Sequence, residues 1–346
     1  MKKLIYITML MAGLFSSLSE SAELASDAPF KVIHRLDVGG EGGWDLLALD
    51  KQHHHLFISR SSHVQVLDTI SNKIVEDIVA TDGVHGIAVA DELKLGFTSN
   101  GKSNSVTVFD LISLKVIANI QISGINPDAI IYEPKTKHVF VFNGRSSNAS
   151  VIDTSTLKEI AVIDLPGKPE LAVSDLDGKV YVNIEDKNEI AVIDGLSNKV
   201  IKTYPLGTGI EPTGLAIDKH NKRLFSVCAN HKMEVLDSST GELVGEIPIG
   251  LGPDSAAFDA NLGLVFSSNG EGTLTIVKEN NPNSFSVLQN LVTLKGARTM
   301  TYDEDNNIAY LVTAEFGATA AVTQDTPKPR PQIIPNTFAI LVIAQH

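Results

Sequence analysis

One phrase of two strands and a turn recurs along this chain at nearly constant intervals. Aligned on the residue that closes its first strand, it places Asp68, Asp110, Asp153, Asp194, Asp237 and Lys278 at spacings of 42, 43, 41, 43 and 41 residues. A period of about 40–45 residues is that of a four-stranded β-blade, and a blade cannot bury both its faces alone, so blades must stack around an axis. The innermost strands open at Trp44, His85, Pro127, Pro169, Pro212, Pro253 and Ala297, which counts seven units. The expected fold is therefore all-β: a seven-bladed β-propeller of four-stranded antiparallel blades.

Blade seven is irregular. After Ile308–Thr313 comes a Pro-rich insertion over 317–335, then the strand 337–343, and no fourth strand follows. The segment Phe30–Val38 matches fourth strands such as Lys199–Leu206, so it is expected to pair into blade seven and remove the open edge between first and last blades. Because the repeat runs unbroken, residues 22–346 are read as one domain. The insertion joins the second and third strands, so it emerges on the mouth face, as a lid, as a docking strap or as a merely tolerated disordered insertion.

Ahead of that domain, Met1-Lys2-Lys3 is basic, Leu4 to Leu18 is largely apolar, and Ser19-Glu20-Ser21 offers small residues. This pattern reads as a signal peptide over residues 1–21 and places the mature protein in a bacterial periplasm or outside the cell. The apolar run falls short of the roughly 20 residues of a spanning helix, and no later stretch is apolar enough, so no stable membrane span is expected after cleavage. A single cysteine, Cys228, excludes an internal disulfide. The net charge of −13 repels phosphate and argues against nucleic acid as a partner.

The repeated Val-Ile-Asp at 151–153 and 192–194, the strand starts Asn126-Pro127-Asp128 and Glu211-Pro212-Thr213, and the strand Val180-Tyr181-Val182-Asn183 resemble the YVTN-type (YncE-like) seven-bladed propeller repeat family. The resemblance covers essentially the whole mature chain. It implies an exported propeller without an assigned biochemical role; similar propellers serve as binding platforms, and more distant relatives include lactone hydrolases and streptogramin lyases. The tryptophan-docking pattern of quinoprotein propellers is absent from a chain with one Trp.

A repeat supplies its own internal comparison. The acid closing each inner strand recurs in all seven units (Asp50, Asp91, Glu133, Asp175, Asp218, Asp259 and Asp303), as expected of a side chain that bonds backbone amides in a turn. The second inner-strand position instead varies: Asp45, Gly86, Asp128, Glu170, Thr213, Asp254, Arg298. This position lies at the mouth of the central channel. The loops after the second strands open on the same face and carry Asn100, Asn143, Arg145, Asn269, Glu271 and Glu315. That shared mouth is the default place for a small molecule or a protein partner.

Several chemistries fit such a mouth. Asp45, Asp128, Glu170 and Asp254 are candidate ligands for a divalent metal ion, with Asn100, Asn143, Asn183 and Asn269 as neutral oxygen donors. Arg145 and Arg298 suit a carboxylate or phosphate. If the site is catalytic, His85 is the candidate general acid or base, with Asp128 or Glu170 orienting it or holding a metal in a hydrolase or lyase. Trp44 stands at the mouth, to stack on a ligand or pack on blade seven.

Two conspicuous features are discounted. His53-His54-His55 falls in a hairpin turn on the opposite face, where consecutive side chains diverge. Cys228 takes a strand-end position and reads as a buried, inert thiol rather than a nucleophile. No Gly-x-Ser-x-Gly elbow, phosphate loop or His-Glu-x-x-His is present.

Overall fold

The computed structural model describes residues 29–319 and 331–345. The expected signal segment and residues 320–330 of the insertion lie outside the described residues. Seven four-stranded antiparallel sheets are present, and an eighth two-stranded sheet is formed by the hairpin Phe316–Thr319 and Pro331–Ile333. Six blades are continuous in sequence, from Leu47–Ile78 in blade one to Pro253–Val292 in blade six.

Blade seven is assembled from both ends of the chain. Its order from the axis outward is Thr299–Asp303, Ile308–Thr313, Ala339–Gln345 and then Phe30–Asp37. Phe30 faces Gln345 and Asp37 faces Ala339 in an antiparallel ladder with one irregularity near Val32. The closure expected from the sequence is thus present.

Burial follows strand position within a blade. Second and third strands such as His138–Asn143 and Asn148–Asp153 are buried on both faces, because each lies between two neighbouring blades. Their near-continuous runs of β-branched and aromatic residues suit that environment. Outer strands such as Lys73–Ile78 are mostly exposed and carry the charges. The core accordingly consists of seams between blades: Phe140, Phe142 and Val151 of blade three pack with Val180, Val182 and Ile193 of blade four.

The recurrent acids serve the turns. Asp50 accepts from the His53 amide, Glu133 from Lys135 and Thr136, Asp218 from His220 and Asn221, and Asp259 from Asn261 and Leu262. Third-strand acids do the same: Asp153 accepts from the side chains of Ser155 and Thr156 and from their amides, which holds its carboxyl down at about 2.

Phe30 ties the closing strand to the core. It is fully buried, edge-on to Phe266 of blade six at 5.3 Å, and its amide donates to Gln289 Oε1. Phe30→Ala is expected to cost about 3–5 kcal/mol in denaturant unfolding. Ile33→Ala on the exposed side of the same strand should cost less than about 1 kcal/mol. Equal losses would mean that the strand's ladder, not its anchor, holds the ring.

Candidate functional site

The mouth is built by contacts that pass from one blade to the next. At the start of several inner strands a polar side chain reaches a neighbouring blade. Asp45 Oδ2 lies 2.6 Å from His85 Nδ1, and Asp128 Oδ1 lies 3.9 Å from the same nitrogen. Thr213 donates its hydroxyl to the Pro253 carbonyl at 3.0 Å, and Arg298 Nε sits 3.0 Å from Asp254 Oδ2.

Blades one, two and three therefore place Asp45, His85 and Asp128 in one group whose ligand atoms lie within 4.8 Å of one another. The imidazole rests against Gly101, where a Cβ would approach His85 Cδ2 and Nε2 to 2.8 Å. A side chain there would displace the ring from its two carboxylates.

Electrostatics differ along this arc. The hydrogen bond to Asp45 raises the His85 pKa above the ordinary 6.5, against the opposing effect of burial, with Asp128 adding to the rise. Burial raises the Asp128 carboxyl, which the charge of His85 partly offsets. Glu170 of blade four is held up at about 7 by burial, against the pull of the Lys168 ammonium 2.7 Å away. Lys168 also pairs with Glu185. The turn Glu185–Lys187 is a single 3-10 turn that ends on Asn188 in the left-handed region, and this brings Glu185 to the mouth.

Other residues expected to line the mouth do not join the His85 group. Asn100, Asn143 and Asn269 are fully buried, because each amide turns into its own blade. Asn100 donates to Ser105 and Thr107, Asn143 to Asn148 and Ser150, and Asn269 to Thr273 and Thr275. Asn183 donates to the Thr213 and Gly214 carbonyls between blades four and five. The nitrogens of these four amides thus brace strands from within the blades.

Asp254 is held by Arg298, and Glu170 by Lys168, so neither belongs to the close group with Asp45 and Asp128. Glu271 accepts from Thr273, Arg145 is exposed, and Glu315 lies 3.6 Å from Arg35 of the outermost strand, away from the axis. Trp44 packs on blade seven, with ring centroids 6.0 Å from Phe316 and 5.5 Å from Phe338.

The discounted features stay apart from the site. His53 bonds Asp50, His54 lies in the left-handed region, and His55 starts a strand. Cys228 is buried, with its thiol pushed up to about 12 mainly by desolvation.

Sequence reasoning missed Lys168 and Glu185. A signal existed for the first: the residue before the inner-strand proline is Asn126, Glu211 and Gly252 in sibling blades, and Lys168 alone is basic.

No family model matches the chain. Over 149 residues, 41% of the chain, it is 26% identical to the Salmonella typhi protein YncE, described as uncharacterized, and the match spans 42% of that relative's length. Among solved structures, Kuenenia stuttgartiensis hydrazine synthase aligns with 76% of this chain and 97% of its own at 17% identity and a TM-score of 0.49. The chain is a seven-bladed β-propeller, similar over that stretch to YncE.

The His85 environment makes a signed expectation for pH. Its folded-state pKa lies above the unfolded value, so the contact adds stability below about pH 6.5 that is lost as pH climbs through the folded value. An NMR titration of the His85 ring should show a midpoint above that of the exposed histidine of an unfolded peptide. Asp45→Asn should bring the midpoint down, and an unmoved midpoint would show that Asp45 does not govern the ring.

Proposed function

We propose that this YncE-like propeller is an exported binding platform whose mouth face takes up a small molecule or a protein partner around His85. Export is supported by the basic Met1–Lys3 and the apolar stretch after it. One observation carries the rest: Asp45, His85 and Asp128 come from three different blades and meet within 4.8 Å. Burying the Asp128 carboxylate beside Asp45 and His85 disfavours its charged form and costs stability. Blades five and two manage the same inner-strand position with Thr213 and Gly86, so the fold itself does not require an acid there.

A second reading rests on the donor set. One imidazole and two carboxylates suit a divalent transition ion such as Mn2+ or Zn2+ better than an all-oxygen cage suits Ca2+. A cation there would polarise an ester or lactone carbonyl. Around it, Asp45 fixes the ring of His85, and Lys168 and Glu185 hold Glu170 at the edge of the arc. This supports a metal-assisted hydrolase or lyase as the alternative.

Elemental analysis and thermal shift of the purified protein test both readings. Mn2+ or Zn2+ is expected to raise the melting midpoint, Asp128→Asn to abolish the response, and His53→Ala to keep it. No response to any divalent cation would remove the metal-assisted alternative. A small-molecule or partner interaction that survives His85→Gln and Asp128→Asn undiminished would remove the mouth group from the primary reading.

A further inference from the structure

Beside the His85 group, on the seam where blades six, seven and one meet, lies a separate cavity of about 450 Å³. It uses none of the three ligand atoms around His85. One wall is apolar: the indole of Trp44, the ring of Phe316, and Ile333 from the hairpin stem. Lys295 and Arg298 also line the cavity.

The apolar wall is held in place by its surroundings. Trp44 is tilted 52° to Phe316 and 47° to Phe338, so its indole is wedged against blade seven. Phe316 lies across Gly296, whose φ of +82° and missing side chain both matter. A Cβ there would stand 2.5 Å from Phe316 Cε2.

The charged residues of the lining are both positive. Arg298 is anchored through Nε to Asp254, which orients its guanidinium plane. Lys295 is exposed and makes no ion pair among the described residues. In a chain of net charge −13, two cations and one local acid form an exception that a desolvating cavity can use. Thr299, also on the lining, is 1% exposed, and its hydroxyl has no hydrogen-bond partner among the described residues. A buried hydroxyl without a partner is costly, and an acceptor arriving in the cavity would relieve it.

The geometry points to a binding site for a small anionic ligand with a flat apolar body, of the aromatic carboxylate class. The ring stacks on Trp44 and Phe316, and the carboxylate meets Lys295 and Arg298. The volume falls in the range of small-ligand pockets, about 300–1,000 Å³. The inference shares the mouth face with the function proposed above and depends on different side chains.

Trp44 is the chain's sole tryptophan, so indole emission reports on the wall of this cavity. Phenylacetate is the probe, with benzyl alcohol and benzylamine as neutral and cationic counterparts, and calorimetry is the second readout. Phenylacetate is expected to change Trp44 emission and release heat, and both counterparts to bind at least about tenfold more weakly. Lys295→Gln and Arg298→Gln should each weaken phenylacetate about five- to tenfold while the melting midpoint confirms that the variants fold. No heat and no change in emission, equal binding of benzyl alcohol, or variants that bind like wild type would each overturn the inference. A protein that answers to cations but not to phenylacetate loses this site and keeps the His85 reading; one that answers to phenylacetate but not to cations keeps this site and loses only the metal-assisted alternative.

Discussion

The ladder between Phe30–Asp37 and Ala339–Gln345 is the interaction on which the remaining structure depends. A stack of blades has two sheet faces left over, and only a closed ring covers both. The covalent chain provides six complete blades and leaves the seventh one strand short, so hydrogen bonds between the two ends must complete it. Next to this ladder, the fully buried Arg60 ties the incoming segment to blade one through the carbonyls of Glu41 and Gly43, with its guanidinium 3.8 Å over the Phe338 ring of blade seven. A cation so enclosed is stable because its donors are matched and an aromatic face lies beneath it. The ends of the chain and the first and last blades thus meet in one polar and aromatic knot.

Closure also gives the mouth its chemistry. Once the ring is fixed, side chains some forty residues apart face one another without any local motif. Acids and the imidazole occupy the arc from blade one to blade four, while Lys295 and Arg298 lie on the seam of blades six, seven and one. Trp44 and Asp45 are adjacent in sequence, yet the first turns to the aromatic seam and the second to His85. A single backbone segment therefore borders both chemistries.

How much of this could be read from the sequence depended on whether a demand repeats. Backbone amides in every hairpin require the same acceptor, so Asp50, Glu133, Asp218 and Asp259 announced themselves, and with them the blade count. The deficit in blade seven made the role of Phe30–Asp37 legible. Direction was harder. Asn100, Asn143 and Asn269 do sit at strand ends near the mouth, but a side chain at a strand end can turn to either face. The hydroxyls of Thr107, Ser150 and Thr275 drew the amides inward. Lys168 and Glu185 escaped notice because their meeting depends on a 3-10 turn that, among the described residues, blade four alone has on this face. The cavity at Trp44 was beyond reach, since it is made by the hairpin stem and a blade seam that no spacing encodes.

The pairing of Phe30 with Gln345 has a consequence in time. Local hairpins along the chain can form as soon as their own strands exist, whereas this ladder must wait for nearly the whole polypeptide. Until then Phe30–Asp37 is an unaccompanied strand and Ile308–Thr313 an exposed edge, both able to join foreign strands. The meeting of Phe30–Asp37 with Ala339–Gln345 closes a very long loop, and the entropy of that closure slows it relative to the local hairpins. Any helper that shields Phe30–Asp37 during that interval would act on the yield of folded protein without touching a residue of the mouth.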